Sequence, residues 1–226
     1  GQLLLDNKIE MTSNAQLQIS YLESNVSINY GYYATTVRWS PDGRFVAVTG
    51  VSPTSGNEIQ IYRFNGSSLT LVASKDSSSS LCLNWSPDGI YLATGGSRIE
   101  IYQFTGSALN LVAYQNYGDV VRSVNWSPDG QILAVGGDFI GIQIYRFNYS
   151  YLSLITSQSY SDSIQSMDWS SDGKYLAVGG SSSGSEVKVY SFNGSSLTLI
   201  TYIGYVNIVY TAKWSPDGRF IATGGY

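Results

Sequence analysis

The sequence predicts an all-β fold built from repeated four-stranded units set in a ring. Three observations lead there. One pentapeptide recurs five times: Trp39-Ser-Pro-Asp-Gly43, Trp85-Ser-Pro-Asp-Gly89, Trp126-Ser-Pro-Asp-Gly130, Trp169-Ser-Ser-Asp-Gly173 and Trp214-Ser-Pro-Asp-Gly218. The tryptophans are separated by 46, 41, 43 and 45 residues, a period found in β arrays and helical arrays. The runs between the repeats are short, β-branched or alternating, and closed by glycine, which decides for strands.

Each unit reads in the same order. A first strand carries the tryptophan, and Ser-Pro-Asp-Gly turns the chain: proline presets φ, aspartate bonds the local backbone and glycine accepts positive φ. Ser171 replaces the proline in the fourth repeat and should loosen that turn slightly. A second run follows, Phe45-Val-Ala-Val48, Tyr91-Leu-Ala-Thr94, Ile132-Leu-Ala-Val135, Tyr175-Leu-Ala-Val178 or Phe220-Ile-Ala-Thr223. The third run alternates, as in Ile59-Gln-Ile-Tyr-Arg-Phe64, Ile99-Glu-Ile-Tyr-Gln-Phe104, Ile142-Gln-Ile-Tyr-Arg-Phe147 and Val187-Lys-Val-Tyr-Ser-Phe192. Turn clusters such as Asn65-Gly-Ser-Ser68 and Asn193-Gly-Ser-Ser196 lead into a fourth run, Leu69-Thr-Leu-Val72 and its counterparts from Leu109, Leu152 and Leu197. Four short antiparallel strands per unit, repeated around a ring, limit exposed sheet edges in the manner of a β-propeller.

These units resemble the tryptophan-aspartate (WD) repeat family of β-propellers, whose first two strands read as an aromatic, Ser-Pro-Asp-Gly, two variable residues, then Leu-Ala and glycine. The resemblance covers nearly the whole chain. It implies a hydrogen-bond network in each blade, made by a histidine before the first strand and a tryptophan-aspartate pair closing the third. This chain has no histidine. Nine residues before the repeat tryptophans stand Tyr30, Tyr117, Tyr160 and Tyr205, with Asp76 in the remaining unit. Tyr62, Tyr102, Tyr145 and Tyr190 take the place of the third-strand tryptophan, followed by Arg63, Gln103, Arg146 and Ser191 in place of aspartate.

The ends predict closure. The last repeat stops after two strands, while Lys8-Ile-Glu-Met11 and Leu17-Gln-Ile19 resemble the third and fourth strands of other units. Residues 1–30 are therefore expected to complete the closing blade, giving one domain over 1–226 with units near 31–75, 76–115, 116–158, 159–203 and 204–226. The expected product is a monomeric five-bladed ring, with a larger ring or an exchanged oligomer as the alternatives.

Composition suits a packed β protein: 43% hydrophobic, 12% charged and a net charge of −4. That acidity, with no basic run, argues against nucleic-acid binding. No apolar stretch is long enough for a membrane-spanning helix. The one cysteine, Cys82, reads as a small buried hydrophobe. Asn-Gly-Ser and related sequons read as turns rather than glycosylation sites. The stretch Ser77-Ser-Ser-Ser80 reads as a solvated loop, and Val51–Asn57 and Ser181–Ser185 as long connections between second and third strands.

The repeated residues read as structure. The tryptophans pack between blades, and the alanines and glycines ending second strands permit close approach of neighbouring sheets. For the tyrosines of the third strand the reading is structural. For those of the loops two readings stand: phenols replacing the missing network, or a candidate ligand-binding face of Tyr30, Tyr117, Tyr160 and Tyr205, joined by Asp119, Asp162 and Asn207. Without histidine there is no Ser-His-Asp or Cys-His system and no histidine metal site. The turn aspartates are accounted for by turns, and no phosphate-binding glycine loop precedes a helix. No cofactor, metal or catalytic residue is expected. The function expected is a noncatalytic scaffold whose partner is another protein; a glycan-binding propeller and a self-associating structural subunit are the alternatives.

Overall fold

The computed structural model describes the chain except residues 1–7, 12–15, 21–24, 31–32, 52–57, 78, 161, 182–183, 185 and 205–206. Residues 52–57 of the expected connection at 51–57 and most of that at 181–185 lie outside the described residues, and Val51 belongs to a strand. The described residues form strands and turns, without a helix.

Four complete antiparallel sheets follow the repeats in order. The first holds β4 (Tyr33–Trp39), β5 (Phe45–Val51), β6 (Ile59–Phe64) and β7 (Leu69–Lys75). The second holds β8 (Cys82–Trp85), β9 (Tyr91–Gly95), β10 (Ile99–Phe104) and β11 (Leu109–Gln115). The third holds β12 (Val121–Trp126), β13 (Ile132–Gly137), β14 (Ile142–Phe147) and β15 (Leu152–Gln158), and the fourth β16 (Ile164–Trp169), β17 (Tyr175–Gly180), β18 (Val187–Phe192) and β19 (Leu197–Ile203). A pair, β20 (Val209–Trp214) and β21 (Ile221–Gly225), follows; before them all lies a three-stranded sheet of β1 (Lys8–Met11), β2 (Gln16–Ser20) and β3 (Asn25–Asn29).

The N-terminal segment thus contains three strands where two were expected. Lys8–Met11 pairs with Gln16–Ser20, and Asn25–Asn29 adds to the sheet as its outer strand next to β7, the fourth-strand place in which Leu17–Ile19 was expected. No described pairing joins this sheet to β20 and β21. The hydrogen-bonded closure expected from the chain ends is not among the observed pairings.

Sheets stack in sequence. First strands touch first strands along β4, β8, β12, β16 and β20, and fourth strands touch along β3, β7, β11, β15 and β19. A cavity of about 130 Å³ is lined by residues from all five first strands, among them Thr36, Asn84, Asn125, Gln165 and Lys213. These inner strands therefore surround a common axis.

Each core lies between two consecutive sheets. Ile59 and Ile61 of the first pack with Leu83, Trp85 and Tyr102 of the second, and Ile99 and Ile101 meet Val124, Trp126 and Tyr145. Ile142 and Ile144 meet Met167, Trp169 and Tyr190. Strand alternation sends Ile61 and Tyr62 to opposite faces of the sheet, and both are buried because both faces are covered: Ile61 packs against the second unit, while Tyr62 packs with Tyr30, Val46 and Val48. A β-bulge marks the pairing of strands three and four, where the register shifts between Ile61 and Tyr62 and at the equivalent points in the other complete units. Each tryptophan of a complete unit lies edge-on to the phenylalanine ending its own third strand, with centroids 5.4 Å apart for Trp126 and Phe147 and 5.5 Å for Trp39–Phe64, Trp85–Phe104 and Trp169–Phe192. Trp85, Trp126 and Trp169 are buried, while Trp39 and Trp214, toward the ends of the stack, are half-buried.

The paired glycines at the end of second strands meet two different neighbours. A Cβ on Gly136 would stand 2.8 Å from Ile164 of the next sheet, whereas one on Gly137 would fall 1.9 Å from the backbone oxygen of Val120. The first makes room for the next unit and the second for the incoming loop.

Candidate functional site

The Ser-Pro-Asp-Gly turns are closed by their own side chains. Ser40 Oγ donates to Asp42 Oδ1 at 2.5 Å and accepts from the Phe45 amide at 2.9 Å, and the Arg44 amide donates to the same carboxylate oxygen at 3.1 Å. All five turns repeat this serine-to-aspartate bond, including the one with Ser171. Gly43 takes φ 69°, and its counterparts lie within a degree of it. The serine bond holds the carboxyls of Asp172 and Asp217 below the usual carboxylate range; for Asp42 the bonds from Ser40 and Arg44 lower the carboxyl against a desolvation effect that opposes them.

The loop tyrosines are interior, which corrects the expectation of an aromatic ring displayed to a ligand. Tyr30, Tyr117 and Tyr160 are 4%, 3% and 4% exposed. Their hydroxyls donate to the carbonyls of Glu58, Gly141 and Glu186, each the residue immediately before the third strand of the same unit. A buried phenol with its hydroxyl satisfied ties the loop entering the first strand to the start of the third. Tyr205 lies outside the described residues. Burial raises all three phenols far above their ordinary value.

The third-strand tyrosines are also buried. Tyr62 donates to Gln60 and Tyr145 to Gln143, each two residues back on the same strand. Desolvation pushes the phenols of Tyr62, Tyr145 and Tyr190 up to about 12. Lys188 holds its ammonium 4.3 Å from the ring centroid of Tyr160.

The unit with Asp76 solves the same problem differently. Ser77 is buried and donates to Glu100 Oε2 at 2.8 Å; that oxygen also accepts from Tyr102 at 2.8 Å, and Arg98 pairs with Oε1 at 2.5 Å. Ser80 is 1% exposed, and its carbonyl accepts from Thr49. Of the Ser77–Ser80 stretch, expected to be a solvated loop, Ser77 and Ser80 are buried while Ser79 is exposed. Without the tyrosine ring, Ser77 supplies a hydrogen bond to this unit's interior.

Of the remaining candidates, Asp119 and Asp162 are half-buried and Asn207 is exposed. Each accepts the backbone amide of its following residue, from Val120 at 2.7 Å, Ser163 at 2.8 Å and Ile208 at 2.9 Å. Phe139 and Ile140, in the connection between β13 and β14, are 74% and 40% exposed beside the Asp119 loop. Arg122 anchors that connection through a two-toothed pair with Asp138 at 2.6 and 2.8 Å. Neither Phe139 nor Ile140 was singled out from sequence; the signal was present as two adjacent apolar residues in a turn.

Sequence reasoning also missed a polar ladder along the axis. Three residues before each tryptophan stand Thr36, Cys82, Ser123, Ser166 and Thr211, and one residue before stand Arg38, Asn84, Asn125, Asp168 and Lys213. Thr36 donates to the Leu81 carbonyl at 3.2 Å, Ser123 accepts the Met167 amide at 3.1 Å, Asn125 donates to the Met167 carbonyl at 2.9 Å, and Lys213 pairs with Asp168 at 2.8 Å. Every bond runs from one unit to the next. Cys82 takes part with its thiol near the Val121 carbonyl, and burial pushes that thiol up to about 12, far from a reactive thiolate. Hydrogen-bonding residues at both positions in all units were the available clue.

Among the described residues no group of three or more His, Cys, Asp and Glu side chains is arranged to hold a metal ion.

A family model described as "Eukaryotic translation initiation factor eIF2A" matches residues 12–120. The model described as "WD domain, G-beta repeat" matches residues 110–140, 152–191 and 197–226. No curated protein sequence is a match. Among solved structures, the crystal structure of Sqt1 from Chaetomium thermophilum superposes with a TM-score of 0.72 at 18% identity, over 91% of this chain and 58% of that one. At that identity the likeness shows the fold alone, and the chain spans less than two thirds of the Sqt1 chain's length.

Proposed function

We propose that this chain, a repeat protein with WD-type repeats and an all-β propeller fold, is a noncatalytic scaffold that binds another protein through one face of the propeller. One observation carries the reading. The residues written in every unit are consumed by packing and turns, while the exposed residues of the loop face differ from unit to unit. Phe139 and Ile140 present apolar surface there beside the loop of Asp119, and Asp162 and Asn207 hold the equivalent loop position in the next two units. An exposed apolar pair on a face with polar loops suits a protein partner. The buried tyrosines serve that face by fixing its loops rather than by touching the partner.

The test is affinity capture from the native source with the wild-type chain, a Phe139→Ser/Ile140→Ser variant and an Asp119→Ala/Asp162→Ala/Asn207→Ala variant, each checked for an unchanged melting temperature. A partner lost from both folded variants supports the loop face. A partner retained by both would move binding to the rim or the opposite face.

The five-unit ring belongs to the same proposal. Val72, Val112 and Ile155, the bulged residues of three fourth strands, are each packed against the cluster shared with the next unit. Their counterpart Ile200 is 56% exposed. A further pair of strands completing the sheet of β20 and β21 would cover it, and the N-terminal strands are the proposed source. Light scattering at the 24.6 kDa of one chain is expected; an assembly of several chains would overturn self-closure.

A further inference from the structure

The five repeats serve as an internal comparison for one another, and the cleft between the second and third units breaks their pattern in two independent ways. It opens on the Ser-Pro-Asp-Gly side, has a volume of about 340 Å³, and is lined by Asp88, Tyr91, Asp129, Gln131, Phe147 and Tyr149 together with Pro87 and Gly130.

The first departure is charge. In the first, fourth and fifth units the turn aspartate faces a basic residue two positions on, in the pairs Asp42–Arg44, Asp172–Lys174 and Asp217–Arg219. In the second and third units that residue is Ile90 or Gln131. Asp88 and Asp129 form no ion pair among the described residues. They are the two turn carboxylates that border this cleft.

The second departure is aromatic. The turn between third and fourth strands places glycine at positive φ in three units, with Gly66 at 95°, Gly106 at 90° and Gly194 at 91°. The third unit has Tyr149 there, at φ 61°, a conformation that side-chain-bearing residues seldom adopt. Its ring is 71% exposed and leans on Phe147 and Tyr91, with centroids 5.7 and 6.2 Å away. In the neighbouring cleft between the third and fourth units, Ile132 stands in the place of Tyr91.

Two carboxylates without cations beside the exposed ring of Tyr149 favour a positive guest. Anions are repelled, and a flat guanidinium gains both from the ring quadrupole and from the carboxylate oxygens. The rings contact one another at these centroid distances, so they form a platform to stack on rather than a cage to enter. We propose that this cleft receives an arginine side chain from a partner protein, stacked on Tyr149 and paired with Asp88 and Asp129. The assignment rests on the scaffold reading but uses a different face from the loop surface.

The probe is a capped Gly-Gly-Arg-Gly-Gly peptide titrated into the isotope-labelled full chain, followed by amide chemical shifts. A citrulline peptide of the same sequence and a neutral maltooligosaccharide are run alongside. Saturable shifts at Ile90, Gln131 and Tyr149 are expected with the arginine peptide at about millimolar concentration, weakening with salt, and absent with citrulline. Asp88→Asn/Asp129→Asn, which keeps the turn-closing oxygens, is expected to weaken binding at least about tenfold, and Tyr149→Gly, which restores the glycine of the other units, at least about fivefold. Asp172→Asn in the neighbouring cleft should leave binding unchanged. An equal response to citrulline, a response only to the oligosaccharide, indifference to the carboxylate variants, or no shift at these amides would each overturn the proposal. If partner capture still depends on Phe139 and Ile140 while this cleft is silent, only the arginine site fails and the scaffold reading stands.

Discussion

Trp126 is 4% exposed and packed edge-on against Phe147, so Trp126→Ala is expected to destabilise the fold by about 3–5 kcal/mol. A urea unfolding curve measures this, and an unchanged midpoint would contradict the packing role. Tyr160→Phe tests the loop tyrosines more finely, because it keeps the ring and removes the donor to the Glu186 carbonyl. The expected loss is about 1–2 kcal/mol, the range for leaving a buried acceptor without its partner. The identity of the tyrosine series was legible in the sequence, since a fixed offset from each tryptophan shows where the side chains fall. Their direction was not, because a loop residue three or four positions before a strand points inward or outward according to long-range contacts. The carbonyls of Glu58, Gly141 and Glu186 decide it, and backbone acceptors leave no mark in the sequence.

At the level of strands, the order of elements was readable from Pro-Asp-Gly and Asn-Gly turns, and the structure places strands on all the quoted runs. The bulges were not readable. One extra residue in each fourth strand, such as Val72 or Val112, shifts the register against the third strand and packs on the cluster between units, and apolar alternation does not mark where it falls. The paired glycines give a test of sheet spacing. Gly137→Ala places its Cβ 1.9 Å from a backbone oxygen that has little room to move, whereas Gly66→Ala meets nothing within 4 Å and bears only the strain of φ 95°. Gly66→Ala should lower stability by about 1 kcal/mol, and Gly137→Ala by clearly more, read as the difference between two thermal melts. Equal effects would mean that the loop before β12 does not press on this strand as described.

Across the whole molecule, the sequence made the stacked repeats plain, but not the strands of the N-terminal sheet. The N-terminal sheet carries an additional strand, Asn25–Asn29, whose polar alternation hid it from a search for apolar runs. Buried phenols are distributed over every complete unit, hydrogen-bonded with Glu100 and Ser77 in the unit that lacks a loop tyrosine. Among the described residues seven tyrosines are buried, and desolvation leads the causes that raise each phenol above its ordinary value of 10. An unfolded chain would release those protons from about pH 10 upward while the folded chain retains them, so stability is intact below pH 10 and falls as pH climbs toward and past the folded values near 12. The most direct measurement of this network is therefore an alkaline titration of phenolate absorbance, recorded together with the β-sheet circular dichroism. The expected result is a buried set of phenols that ionises well above pH 10 and only as the circular dichroism is lost. A single transition near pH 10 that includes all 19 tyrosines while the sheets persist would contradict it.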